Sequence, residues 1–325
     1  MITIRDVAKH AGVSCGTASR AIHDVGYVSS ETKRKVLFAV EQLGYIANQT
    51  AQQLKKGKSN VIGLIVSDIN NYFYNIVISQ LAEKLKEDGK TIMLTYSNES
   101  AKEERECFYT LFAAKVSAII FTPVCDSNYD LICKAAENGI FVTQLYRRIY
   151  NANAIIFDDE YSAYQSMCHF FDIGCRRPLL IDVNYYNLNS ETVVPNRTEG
   201  FLRAVEEYRI TDYRYIKHNL LESRDPEFER LFLEFKPDCV LSGNSQFTLE
   251  LLDLLEKYNL TYPKNIKIIS FDDIGWIAHL KLSAIHQPVE NLVENLIPVI
   301  YQKNSAKLIK IKSPLIKRKS TTVVD

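Results

Sequence analysis

TIRDVAKHAGVSCGTASRAI, residues 3–22, reads as two short helices joined by a tight corner. Val7, Ala8 and Ala11 recur at helical spacing and give a first helix one apolar face. Gly12 stands where that helix must end, because a left-handed residue costs glycine nothing. Val13 fills the corner, and Ser14 is a good cap for a second helix from Cys15 to Ile22. The small residues Ala8, Ala11, Gly12, Gly16 and Ala18 are expected to let the helices approach closely. This is the helix-turn-helix pattern, whose second helix enters the major groove of DNA.

Charge supports that reading once the chain is divided. The 325 residues hold 39 Lys and Arg against 39 Asp and Glu. Residues 1–60 carry nine basic and four acidic side chains, which leaves thirty and thirty-five for the remainder. A basic head on an acidic body fits one segment meeting phosphate.

The chain is long enough for two or three domains, and 46% hydrophobic content indicates a folded protein. It starts at Met-Ile-Thr-Ile-Arg-Asp without an apolar leader, and no run approaches the roughly 20 apolar residues of a membrane span. Seven scattered cysteines form neither a disulfide framework nor a metal-ligand spacing. Cys168 and Cys175 read as buried thiols of a reducing cytoplasm. The residues ask for no metal and no cofactor.

A third helix is expected in the stretch after Ser29, with Val36, Leu37, Val40 and Leu43 as its buried stripe and Gly44 as its end. Residues 48–59, NQTAQQLKKGKS, are polar except for Ala51 and Leu54 and too poor in apolar surface to make a stable helix alone. Gly57-Lys58-Ser59 is not a phosphate loop. Gln52 stands where its first glycine belongs, and the segment precedes a strand.

From Val61 the pattern becomes α/β. VIGLIVS (61–67), TIMLTYS (91–97), AIIFTP (118–123) and FVTQLY (141–146) are apolar runs suited to parallel strands covered on both faces. Helical stretches 73–88, 101–114 and 127–138 alternate with them. The pattern restarts after Asp159 with PLLIDV (178–183), YIKHNL (215–220), CVLSGN (239–244) and IKIISFD (266–272). Two doubly wound α/β units follow, with ligands expected at the carboxyl ends of their strands.

These residues, with YVSSETKRKVL (27–37) and LGYIANQTAQQLKKGKS (43–59), resemble the lactose-repressor/galactose-repressor family of bacterial transcription regulators. SDINNYFY (67–74), IIFDDEYSAYQ (155–165), NRTEGFLRAV (196–205), ISFDDI (269–274), HQP (286–288) and PLIKRKST (314–321) continue the resemblance along the chain. It implies a three-helix helix-turn-helix domain over 1–46 and a hinge helix over 47–59. A two-lobed, periplasmic-binding-protein-like α/β effector domain then covers 60–325. Lobe 1 is expected over about 60–159 and 289–316, lobe 2 over about 160–288 and 317–325.

The resemblance also implies a homodimer on a pseudo-palindromic operator of double-stranded DNA. Cys15, Gly16 and Arg20 would face base edges, and Ser14, Thr17 and Ser19 phosphates. Arg20 is the best base reader by its chemistry, since a guanidinium can grip guanine with two hydrogen bonds. Thr3 and Tyr27 of the head, and Asn48, Ala51 and Leu54 of the hinge, complete the expected DNA contacts. Leu54 would act as an apolar wedge in the minor groove. Ala47 replaces the proline common before this hinge.

Effector contacts implied in the same way are Asn71, Phe73, Arg147, Asp158, Arg197, Asn244 and Asp272. Arginine, carboxylate and an aromatic face suit a polyhydroxylated ligand. Asp158 equally suits a strand-end cap, and Phe73 a core position. Ser245, where many relatives carry Asp, leaves room for a phosphorylated or unusual sugar. His286 reads as structural and Lys317-Arg318-Lys319 as a solvated strand end. The expected protein is a cytoplasmic repressor of carbohydrate genes, dimeric in the absence of added leucine heptads, controlled by a sugar or sugar phosphate. A corepressor or a phosphocarrier protein in place of the sugar stays open. Nothing in the residues points to catalysis.

Overall fold

The computed structural model describes residues 2–45, 59–183, 193–218, 226–303 and 305–322. Asn48, Ala51 and Leu54 of the expected hinge lie outside the described residues. The chain divides into two compact units, residues 1–59 and 60–325.

In the first unit, helices α1 (Ile4–Ala11), α2 (Cys15–His23) and α3 (Ser30–Leu43) enclose Val7, Ala8, Ala18, Ala21, Val36 and Ala39. Ser14 and Ser29 cap α2 and α3 through the backbone N–H groups of Thr17 and Thr32, and Gly12 ends α1 at φ 67°. Two details differ from expectation. Leu37 is 45% exposed while Ala39 is buried, because the inward stripe runs through 36, 39, 40 and 43 and passes Leu37 by. Gly12 and Gly16 do not sit at close helix contacts: a Cβ would meet nothing within 4 Å at Gly12 and only the Ser14 hydroxyl, at 3.9 Å, at Gly16. Close approach is left to the alanines.

The second unit holds two six-stranded sheets. In chain order the first lobe comprises β1 (Val61–Val66), α4 (Tyr72–Glu87), β2 (Thr91–Tyr96), α5 (Ala101–Ala113), β3 (Ala118–Phe121), α6 (Tyr129–Glu137), β4 (Phe141–Leu145) and β5 (Asn153–Phe157). The second comprises α7 (Asp159–Asp172), β6 (Pro178–Val183), α8 (Val193–Glu207), β7 (Arg214–His218), α9 (Pro226–Phe235), β8 (Cys239–Ser242), α10 (Ser245–Lys257), β9 (Lys267–Ser270), α11 (Gly275–His279) and β10 (Ser283–Ile285). The chain then returns for α12 (Val289–Leu296) and β11 (Leu308–Ile311) and leaves again for β12 (Leu315–Ile316). The sheets run β11-β5-β4-β3-β1-β2, all parallel, and β12-β10-β9-β8-β6-β7, parallel except for β12 against β10. Because Leu315 and Ile316 pair in the second sheet, the last crossing falls just before them, a little earlier than expected.

Each sheet has apolar clusters on both faces, as parallel strands require. The edge strands β2 and β7 are exceptions. Leu94 and Tyr96 of β2 stay exposed, contrary to the expectation of cover on both faces, as does Tyr215 of β7. Among the described residues no helix is long and apolar enough to cross a membrane.

Candidate functional site

The head presents Ser14, Cys15, Gly16 and Arg20 at the exposed start and outer face of α2, with Thr17 and Ser19 half-buried beside them. Ser14 Oγ lies 2.9 Å from Thr17 Oγ1, and the Arg20 guanidinium reaches the same threonine hydroxyl at 3.4 Å. Thr3 is tied locally: its backbone N–H and its hydroxyl both donate to Asp6, at 2.8 and 2.7 Å. Tyr27 is 93% exposed. Among the described residues no carboxylate is paired with Arg20, and its long side chain suits a base edge or a phosphate.

In the second unit, strand ends of both sheets converge on one cleft. Its wall includes Asp68, Asn71, Phe73, Glu99, Tyr146, Arg147, Arg197, Asn244 and Asp272. Each lies at or just beyond the carboxyl end of a strand, or on the helix that follows it. The exposed backbone polar groups there make this the binding edge of an open parallel sheet. Of the seven expected effector residues, Asn71, Phe73, Arg147, Arg197, Asn244 and Asp272 therefore come together. Asp158 does not join them. Its carboxylate caps α7 by accepting from the Tyr161 N–H at 3.3 Å.

Arg197 is the centre of this cleft and is 2% exposed. Nε donates to Asp159 at 2.9 Å, Nη1 to Asp182 at 3.2 Å and to the Gly243 carbonyl at 2.7 Å, and Nη2 to the Tyr146 hydroxyl at 2.8 Å. The guanidinium carbon lies 4.1 Å from the centre of the Phe271 ring. Tyr146 follows β4 of the first sheet and Arg197 lies on a helix of the second lobe, so this hydrogen bond ties the lobes. Arg147 forms a two-pronged pair with Glu99, each N–O distance 2.7 Å. Asn71 and Asn244 cap α4 and α10 through the N–H groups of Phe73 and Phe247, and Asp272 accepts from the Ser245 N–H at 2.6 Å. Phe73 is both core and wall, packing 4.9 Å from the Tyr146 ring.

Burial sets the electrostatics. It pushes the Asp159 carboxyl up to about 6, opposed by Arg197. Asp182 and Asp272 are raised for the same reason, against the pull of Arg197. Desolvation outweighs attraction when several carboxylates share one cation.

Tyr146, Glu99, Asp68, Asp159 and Asp182 were not singled out from the sequence. The signal for them was present, since the strand-end rule marks the residues after each apolar run. What sequence could not supply was which strand ends face one another. One smaller expectation is corrected. Arg318 is not solvated: it pairs with Asp273 at 2.7 Å and donates to the Leu282 carbonyl at 2.9 Å. Metal-capable groups do meet despite the unpromising spacing, at Cys175, Asp238 and Cys239. There Asp238 is already engaged by the backbone N–H groups of Arg176 and Arg177, at 2.6 and 2.9 Å.

Comparison with known proteins agrees with both units. The description "Bacterial regulatory proteins, lacI family" matches residues 3–48. "Periplasmic binding proteins and sugar binding domain of LacI family" matches residues 59–227, and "Periplasmic binding protein-like domain" residues 168–321. The chain is 26% identical to the HTH-type transcriptional regulator DegA of Bacillus subtilis over 299 residues, covering 89% of this chain and 88% of DegA. It is 27% identical to the sucrose operon repressor of Streptococcus mutans over 304 residues, 92% of each. A crystal structure of the Lac repressor dimer bound to operator and the anti-inducer ONPF has the same fold, with a TM-score of 0.83 and 22% identity over 98% of this chain and 99% of that one. With the sugar-binding-domain description spanning more than half of its length behind a matching helix-turn-helix head, the chain belongs to the LacI family of bacterial regulatory proteins.

Proposed function

We propose that this protein is a cytoplasmic, homodimeric repressor of carbohydrate-utilisation genes whose operator affinity is set by a sugar-like effector held between its lobes. The observation that carries the reading is the convergence of Arg197, Tyr146, Arg147, Asn244 and Asp272 from two sheets on one cleft. The sugar-binding description of the matching family domain and the likeness to a sucrose operon repressor support the effector class. Residues 1–46 read DNA, 47–59 form the hinge and 60–325 bind effector and partner. Cys15, Gly16 and Arg20 meet base edges and Ser14, Thr17 and Ser19 meet phosphates, with Thr3 and Tyr27 supporting. Asn48, Ala51 and Leu54 act from the hinge. Asn71, Phe73, Arg147, Arg197, Asn244 and Asp272 hold the effector. The protein transmits binding without transforming what it binds.

The mechanism is a coupling between two sites. The cleft cavity has a volume of about 10 Å³, the space of a single water, so a sugar must part the lobes to enter. Entry replaces the Tyr146–Arg197 bond with bonds to the ligand and favours a different lobe arrangement. A lobe shift that misplaces the two hinges lowers operator affinity, by ~1–3 kcal/mol or 5- to 150-fold for a typical coupling. Fluorescence anisotropy on the DNA upstream of its own gene tests this with a sugar panel. One sugar is expected to release the wild-type protein and to fail with Arg197→Ala. Unchanged or tighter binding with every sugar would overturn the inducible-repressor reading.

A further inference from the structure

The charges of the cleft bear on the chemical class of its ligand, an inference that rests on reading this cleft as the effector site. Among the described residues that line it, the cations are Arg147 and Arg197, and both are already committed. Arg147 turns both terminal nitrogens to Glu99, and Arg197 gives Nε to Asp159, Nη1 to Asp182 and the Gly243 carbonyl, and Nη2 to Tyr146. Asp68, Glu99 and Asp272 also line the cavity, while Asp159 and Asp182 stand directly behind Arg197. Five carboxyl groups thus surround two guanidinium groups.

Helix N-termini are the other usual seat for an anion. Here α4 and α10 open onto the cleft with those positions filled by the protein itself. Asn71 Oδ1 accepts the Phe73 N–H, Asn244 Oδ1 the Phe247 N–H, and the Asp272 carboxylate the Ser245 N–H. A phosphate at α10 would meet a carboxylate where it needs a donor. A phosphate drawn to Arg197 would strip buried Asp159 and Asp182 of their cation, which is strongly unfavourable.

The position of Tyr146 adds a third observation. It has φ 67°, and the Arg147 N–H closes back on the Leu145 carbonyl at 2.7 Å, a tight turn rarely adopted by a bulky side chain. That turn puts a neutral hydroxyl on Arg197 Nη2 and aims Arg147 at Glu99. The group that the cleft now offers to Arg197 at this point is therefore a neutral hydroxyl oxygen, an acceptor of the kind a sugar hydroxyl also supplies.

We propose that the effector is an uncharged polyhydroxylated compound and that the cleft rejects its phosphate esters. Hydroxyls can donate to Asp68, Glu99 and Asp272 and can replace the Tyr146 phenol on Arg197 without breaking an ion pair. Titration calorimetry on the full chain at pH 7.5 with matched pairs tests this: glucose and glucose 6-phosphate, fructose and fructose 1-phosphate, ribose and ribose 5-phosphate, trehalose and trehalose 6-phosphate. The expected result is binding of a free sugar, with its ester at least ten-fold weaker and Asp272→Asn narrowing that ratio. An ester that binds more tightly than its parent overturns the inference and leaves the sugar cleft standing. Binding of a free sugar that survives Arg197→Ala unchanged, or no binding by any member of the panel, overturns the assignment of the cleft and the inference with it.

Discussion

Gly16 sits at the start of α2, the helix we propose faces DNA, and a Cβ there would meet only the Ser14 hydroxyl, at an ordinary contact distance of 3.9 Å. Its absence of a Cβ therefore serves nothing inside the head. Alanine is the better helix former, by up to ~1 kcal/mol, so Gly16→Ala should leave the melting temperature of the head unchanged or slightly raised. If Gly16 exists to let the backbone approach a base pair, the same variant should bind operator at least ten-fold more weakly. Circular dichroism and anisotropy on one sample separate the two effects, and an unaltered operator affinity would remove Gly16 from the base-reading set. Arg197 shows a different economy, in which one side chain spends every donor direction on a separate element. Its partners come from α7, β6, the turn after β8 and the turn after β4. Arginine alone has the fork of five donors to do this, so Arg197→Lys should lose most of the sugar response although the charge is kept.

At the scale of elements, α7 and α8 cross so closely that Gly200 has no room for a Cβ. One built there would lie 2.0 Å from the Glu160 carbonyl oxygen and 3.0 Å from the Tyr164 nitrogen. Both contacts are backbone and cannot swing aside. Gly200→Ala is expected to destabilise the effector unit by roughly 3 kcal/mol or more, and to push Arg197, one turn earlier on the same helix, away from Asp159. Thermal denaturation followed by sugar titration checks both. This crossing also shows what was readable in the residues. The strands and helices were legible because their apolar periodicities are strong, and the cap at Ser14 because its chemistry is local. Leu37, exposed Leu94 and Tyr96, and the Arg318–Asp273 pair were not legible, since each depends on which element lies alongside. The same limit applied in the cleft. Arg147, Arg197 and Asp272 were found through family resemblance, whereas Glu99 and Tyr146 needed the fold to bring distant strand ends together.

At the scale of the whole molecule, buried carboxyl groups shape the pH dependence of stability. Glu104 on α5 is fully buried, accepts from the Val124 N–H at 2.8 Å and the Asn128 amide at 2.9 Å, and is pushed up to about 7 by burial. The folded state therefore holds a proton that the unfolded chain releases above the ordinary 4.5. This group stabilises the fold fully below 4.5, and the contribution fades as pH rises through 7. Asp159, Asp182 and Asp272 act in the same direction. The effector unit should accordingly melt at a lower temperature at pH 8 than at pH 5, with Glu104 contributing up to about 3 kcal/mol. Glu104→Gln should flatten the profile in a calorimetric scan, and an unchanged slope would place the effect elsewhere. The three crossings between the lobes carry a consequence for how the protein is made. The core of the first lobe includes Val289, Leu292, Leu296 and Ile311, so it cannot close until a growing chain has been made as far as residue 311. The second lobe likewise waits for Leu315 and Ile316. A message cut short near codon 290 would leave both lobes without their last pieces, so early termination in this gene is expected to yield material for the proteases and no partial sensor.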